Sequence, residues 1–227
     1  MRWIVTFVMM LLPAFAAAQE APALKTEKEK LSYAMGMDLG NQLKSRSVEI
    51  DPAIFAQALK DALSGGKTLL TDAEAKAVIA ELQKAMLVKQ AAEAKVVGDK
   101  NKAEGDAYMA ANKAKDGVIS LPSGIQYKAL TAGTGKKPTA EDTVICQYRG
   151  TLIDGKEFDS SYKRGQPATF PVKGVIKGWT EVLQLMPVGS KWQVFIPPNL
   201  AYAERGSGAM IGPNATLIFE IELVAIK

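Results

Sequence analysis

Histidine is absent from the 227 residues, and cysteine occurs once, at Cys146. Catalytic triads and dyads that use histidine, and His-ligated zinc, are thereby excluded. A single thiol closes no intramolecular disulfide and builds no metal site by itself. A surplus of one charge sign is also missing. The formal net charge is +4, or +3 if Arg2 is removed, and acids and bases are interspersed along the chain. Nucleic acid is therefore not an expected partner. After residue 18 no apolar run approaches the ~20 residues of a membrane-spanning helix. Whatever chemistry the chain performs runs on carboxylates, hydroxyls, backbone groups or shape, with no cofactor and no metal expected.

What is present is a soluble globular composition, 48% hydrophobic and 23% charged, enough for a real core. Residues 1–18 carry Arg2, an apolar run from Trp3 to Leu12 and small residues up to Ala18, the pattern of a secretory signal cleaved after Ala16-x-Ala18, with Gln19 as the mature start. The alternative is an uncleaved N-terminal anchor, for which the run is short. No cysteine follows at once, which argues against a lipid anchor. The expected location is an exported compartment, the periplasm, with outer-membrane association or surface display as further options.

Thr26 and Glu29 have capping-box spacing and open a helix striped by Leu31, Met35, Leu39 and Leu43. Asp51-Pro52 starts a second helix, with Phe55, Leu59 and Leu63 on one face and Gly65-Gly66 as its stop. Two such helices bury too little surface alone, so pairing of two chains through residues 26–87 is expected. Thr71 with Glu74 opens a proline-free stretch to about Lys115, read as one helix of about 44 residues spanning roughly 65 Å. The alternative is two helices broken at Gly98. Its second half, rich in Ala, Lys and Glu with Gly98 and Gly105, reads as solvated.

Beyond Asp116-Gly117 the period changes from 3.6 to 2. Strands are expected at 118–121, 125–128, 143–151, 168–172, 191–196 and 216–226, with one short helix over 176–185 and a long, glycine-rich, mobile loop at 197–215. The fold class is α+β: an antiparallel sheet wrapped on one short helix, preceded by an all-α region and a long connecting helix. The stretch from Cys146 to Trp179 supplies Tyr148, Phe158, Phe170, Trp179 and the acid Asp159, a mix suited to an apolar pocket with few polar groups. Each aromatic taken singly is as well read as core. Cys146 shares a face with Tyr148 and reads as a buried thiol, a redox role being the alternative.

Taken together and in order, Tyr148-Arg-Gly-Thr-Leu, Gly155-Lys-Glu-Phe-Asp-Ser160, Val175-Ile-Lys-Gly-Trp179, Ile196-Pro-Pro, Ala201-Tyr202 and Ile211-Gly-Pro-Asn-Ala-Thr-Leu-Ile-Phe219 resemble the FKBP family of peptidyl-prolyl isomerases. The helical N-terminal half, with Asp51-Pro, Thr71-Asp-Ala-Glu74 and Leu121-Pro-Ser-Gly-Ile-Gln-Tyr127, is similar to its Mip-like and FkpA-like exported bacterial subfamily. The resemblance implies a division into an export signal (1–18), a helical dimerisation domain (19–70), a connecting helix (71–116) and an FKBP-type isomerase domain (117–227). It also implies a homodimer, and inhibition by macrolides such as FK506 and rapamycin.

By the same resemblance Tyr148, Phe158, Asp159, Tyr202 and Phe219 form the catalytic set, with Phe170, Val175, Ile176, Trp179 and Met210 binding substrate. Trp179 would be the floor, Asp159 the acid on the wall, and the Ile176 N–H and Tyr202 hydroxyl donors to bound carbonyls. Relatives often carry Ile or Pro at the position of Met210 and Gly at that of Ala203. The implied reaction is X–Pro bond rotation in unfolded or partly folded exported proteins, by binding the twisted amide in an apolar pocket. Added chaperone activity from the helical arms is expected. A non-catalytic holdase chaperone, or a surface-exposed host-interaction factor, is the alternative.

Overall fold

The computed structural model describes residues 24–227; the expected export signal lies outside them. The chain divides after Ala73 into two compact units. The first holds α1 (Glu27–Ser45) and α2 (Pro52–Ser64). Both start where the capping residues stand. Thr26 Oγ1 accepts from Glu29 N at 3.2 Å while Glu29 Oε2 accepts from Thr26 N at 2.9 Å, which satisfies two donors that a helix start leaves open. Asp51 Oδ1 accepts from the N–H groups of Ala53 and Ile54 at 2.8 and 3.1 Å. Gly65, at φ +66°, ends α2 in the left-handed conformation. Neither helix has a buried residue. Leu39, Leu43, Val48, Ile50 and Phe55 line an open groove of about 790 Å³.

The second unit begins within the first turn of α3 (Asp72–Lys113), a single 42-residue helix continuous through Gly98. Its early apolar side chains, Val78, Leu82 and Leu87, are exposed. Its later half corrects the expectation of a solvated helix. Gly98, Gly105 and Asn112 are buried and repeat every seven residues, two turns apart, so they share one face. A Cβ on Gly105 would stand 2.3 Å from Thr216 Oγ1, and one on Gly98 would stand 3.2 Å from Pro213 Cβ. The glycines let the helix backbone approach closely. Asn112 Nδ2 donates to Gln126 Oε1 at 2.9 Å, and Gln126 Nε2 donates to the Met109 carbonyl at 2.9 Å. These buried amides are thus partnered, as burial requires.

The sheet that follows is antiparallel throughout, with order β1-β2-β6-β7-β3-β4 and β5 also paired to β3. Its strands are β1 (Val118–Ser120), β2 (Gln126–Thr131), β3 (Thr143–Leu152), β4 (Glu157–Ser160), β5 (Ala168–Pro171), β6 (Lys191–Ile196) and β7 (Leu217–Ile226). Period-2 alternation assigns the inner face: Val144, Cys146 and Tyr148 on β3, Val194 and Ile196 on β6, and Leu217, Phe219, Ile221 and Leu223 on β7 are all buried. Across this face lies α4 (Lys177–Leu183), contributing Trp179, Val182 and Leu183. β4 was not expected from the sequence. It forms because the turn at Gly155, φ +85°, returns the chain along β3.

Cys146 is fully enclosed, and burial pushes its thiol up to about 12. The nucleophilic thiolate is therefore not populated at neutral pH. Replacing Gly105 by leucine is expected to destabilise the second unit by about 1–3 kcal/mol through overpacking, read as a lower thermal unfolding temperature. Helix propensity alone would favour leucine over glycine, by up to ~1 kcal/mol. A calorimetric melt that moves upward would show that α3 can leave the sheet at no cost.

Candidate active site

The inner face of the sheet and α4 enclose a cavity of about 410 Å³, lined by Tyr148, Asp159, Phe170, Gly174, Val175, Ile176, Trp179, Tyr202 and Phe219. Trp179 is its hub. Tyr148, Phe170 and Phe219 each meet the indole edge-to-face, with centroids at 5.3, 5.6 and 5.3 Å, the arrangement that aromatic quadrupoles favour. Gly178 makes this seat possible. A Cβ there would lie 2.5 Å from Ile196 Cγ2, so only glycine lets the first turn of α4 settle on β6. Thr180 Oγ1 donates to the Val172 carbonyl at 2.7 Å and fixes the helix against the turn at Val172–Gly174.

Two donors face this apolar space. Ile176 precedes α4, and its N–H makes no hydrogen bond within the described residues. A helix start leaves such N–H groups unpaired and carries a partial positive charge. The Tyr202 hydroxyl likewise has no partner among them. Trp179 Nε1 is buried without an acceptor among the described residues and does not reach the open space. The Ile176 N–H and the Tyr202 hydroxyl are the groups left to meet a carbonyl oxygen.

The polar wall is a cluster of three residues. Tyr148 donates its hydroxyl proton to Asp159 Oδ2 at 2.5 Å; Arg164 donates to Asp159 Oδ1 at 2.5 Å and to the Tyr148 oxygen at 2.6 Å. The Ser160 N–H adds a bond to Asp159 Oδ1 at 2.8 Å. Burial alone would raise the Asp159 carboxyl, but the bonds from Tyr148, Arg164 and Ser160 outweigh it and hold it below its ordinary value. Burial first, and the bond to Asp159 second, push the Tyr148 phenol up. Asp159 stays ionised and Tyr148 protonated at neutral pH. The wall is an oriented dipole array with no group poised to exchange a proton. Asp159 is nearly half exposed, so its ion pair orients more than it stabilises.

Of the residues expected from the sequence, Tyr148, Asp159, Tyr202, Phe219, Phe170, Val175, Ile176 and Trp179 come together around the cavity. Phe158 and Met210 do not line it. Phe158 sits at the irregularity between β3 and β4, covering Gly150, where a Cβ would be 2.6 Å from its ring. From there it meets Phe219 edge-to-face at 5.5 Å. It supports the wall. Met210 is exposed at the tip of a loop closed by Ser207 and Ile211. Arg164 was not foreseen: its only sequence signal is a cation five residues after Asp159. Ala203 stands at φ +49°, a left-handed conformation that glycine adopts without cost.

Residues 134–224 match the family described as FKBP-type peptidyl-prolyl cis-trans isomerase, and residues 28–129 the domain amino terminal to it. The chain is similar to the outer membrane protein MIP of Legionella longbeachae, at 51% identity over 93% of this chain and 91% of that one. It is also similar to the peptidyl-prolyl cis-trans isomerase Mip of Coxiella burnetii, at 44% identity over 100% of this chain and 98% of the relative. Among solved structures, that of FkpA from Escherichia coli superposes with a TM-score of 0.68 at 36% identity, covering 90% of this chain and 99% of that one.

Because the Asp159 carboxyl is lowered in the folded state, the unfolded chain binds its proton more readily. The stability it contributes is complete above the unfolded carboxyl value of about 3.9 and is lost as pH falls through the lower folded value. The melting temperature of the wild type should therefore exceed that of Asp159→Asn above about pH 5, with the gap closing below about pH 4. A gap that is constant down to low pH would mean that Asp159 is not ionised in its cluster.

Proposed function

The chain belongs to the FKBP-type peptidyl-prolyl cis-trans isomerase family, and we propose that its rotation of X–Pro bonds takes place in the aromatic-lined cavity beside α4. The observation that carries this reading is the pairing of an apolar floor with two donors that are unpartnered among the described residues. Rotation breaks no covalent bond but loses amide resonance, against a barrier of ~18–20 kcal/mol. The planar amide separates more charge than the twisted one, so a site that solvates the planar form poorly favours the twisted form. Binding that is stronger at the twisted geometry lowers the barrier with no nucleophile, proton transfer or metal. Trp179, Phe170 and Phe219 seat the prolyl ring. The Ile176 N–H and the Tyr202 hydroxyl hold carbonyl oxygens while the bond turns, and the Asp159 side of the cavity faces the rotating carbonyl.

The substrates proposed are unfolded or partly folded proline-containing proteins of an exported compartment. Residues 1–18 have the pattern of an export signal, and the Legionella relative is named an outer membrane protein. No helix among the described residues is long and apolar enough to cross a membrane. Macrolides of the FK506 and rapamycin type are proposed to fill the same cavity. The four-part division of the chain (1–18, 19–70, 71–116 and 117–227) is proposed as its functional layout. α1 and α2 leave Leu31, Met35, Ile54 and Leu59 more than half exposed, and a second copy of the same surface is the proposed cover, through residues 26–87. The same helices are proposed to hold unfolded clients.

The test is acceleration of isomerisation of a chromogenic Leu-Pro-Phe peptide by the full chain, with and without FK506. Turnover should be blocked by the drug, and Tyr202→Phe should lower kcat/KM about five-fold, the effect of one lost hydrogen bond. Asp159→Leu should also lower it. A folded chain without turnover overturns the catalytic assignment and leaves client holding as the function. Sedimentation velocity at micromolar concentration should give the mass of two chains; a monomer would remove the pairing surface.

A further inference from the structure

Tyr202 reaches the cavity from residues 197–216, a segment with no regular structure beyond short 3-10 turns at Pro198–Leu200 and Ala203–Arg205. Its own hydroxyl is unpartnered among the described residues, so its place is set by its neighbours. Ala203, the next residue, stands at φ +49°, and its carbonyl accepts from Asn214 N at 2.8 Å; Asn214 itself stands at φ +53°. The left-handed region is strained for alanine and tolerated by asparagine. Ala203 keeps it where the surrounding structure holds it.

That support is α3. Asn101 Nδ2 donates to the Pro213 carbonyl at 2.7 Å, across 112 positions of sequence. The Pro213 carbonyl and the Asn214 N–H belong to one rigid peptide plane. One edge of that plane is thus bonded to the helix and the other to Ala203, the residue after Tyr202. Tilting the plane breaks both bonds. Gly98 leaves room for it, since a Cβ there would meet Asn214 Nδ2 and Pro213 Cβ at 3.2 Å. Gly212 extends the contact, for its own Cβ would meet Asn101 Nδ2 at 3.0 Å and Val97 Cγ1 at 3.5 Å.

We propose that Asn101, with Gly98 beneath the same peptide, is a positioning residue for Tyr202, so that the connecting helix sets the geometry of the cavity rim. The inference rests on the isomerase reading above. It makes α3 part of the active domain's working geometry. Asn101 touches no substrate and acts only through the Pro213–Asn214 peptide and Ala203.

The test is a double-mutant cycle in the full chain on the chromogenic Leu-Pro-Phe peptide. Asn101→Leu is close in size but lacks the donor. It should lower kcat/KM about five-fold, through kcat and with KM changed less than about two-fold. In a Tyr202→Ala background the same substitution should change kcat/KM by less than about two-fold, because the group it positions is gone. Equal losses in both backgrounds, a loss confined to KM, or full activity in Asn101→Leu would overturn the proposal. If Asn101→Leu does not fold, Gly98→Ala is judged by the same criteria in the same two backgrounds. Unsubstituted protein that folds but gives no turnover overturns the isomerase reading, and this inference with it.

Discussion

The seating of Trp179 on the sheet is the constraint from which the rest of the site follows. Gly178 allows α4 to approach β6 within a distance that any side chain would block. That approach brings the indole under three rings, Tyr148, Phe170 and Phe219, from strands β3, β5 and β7. Edge-to-face packing of this kind adds about 0.5–1.5 kcal/mol per pair beyond burial and fixes ring orientation. The same placement of α4 sets Ile176 in the cavity lining, its N–H without a partner among the described residues. Floor, walls and donor are consequences of one close contact.

The polar side works by orientation. A carboxylate beside an apolar cavity would ordinarily favour its neutral form. Here Tyr148, Arg164 and the Ser160 N–H spend their hydrogen bonds on Asp159, so the charge survives partial burial. Arg164 also lies over the Tyr148 ring, 5.3 Å from its centroid. A fixed dipole array of this kind costs no reorganisation when a carbonyl turns in front of it. It suits a reaction whose transition state differs from its ground state in charge separation and in no covalent bond.

α3 joins this site through an unusual seam. A 42-residue helix with little apolar content over its second half would have no reason to adhere by hydrophobic burial. It adheres instead by close approach of its backbone to the side chains of Pro213, Asn214 and Thr216 at Gly98 and Gly105, by Tyr108 against Phe195, and by satisfied amides at Asn101, Asn112 and Gln126. Dispersion falls off steeply with separation, so small residues are needed there. The same seam carries the segment 212–216 that precedes β7, and with it the rim of the cavity.

Much of this was legible in the residues. Period and capping gave α1, α2, α3, the short helix and most strands, because those signals are local: a side-chain oxygen bonds N–H groups two or three residues away, and a strand alternates by backbone geometry. The motif set around Tyr148, Asp159, Ile176 and Trp179 anticipated the cavity lining, since these types in this order match a known family. β4, the supporting position of Phe158, the outward place of Met210 and the third member of the polar cluster, Arg164, were decided only by the tertiary structure. So was the underside of α3, whose glycines read as helix weaknesses until Pro213 and Thr216 are brought against them. Local hydrogen bonding and hydropathy depend on neighbours in sequence, which the chain displays. Close packing and shared hydrogen bonds depend on which residues the fold brings together, from Arg164 and Asp159, five positions apart, to Asn101 and Pro213, 112 apart.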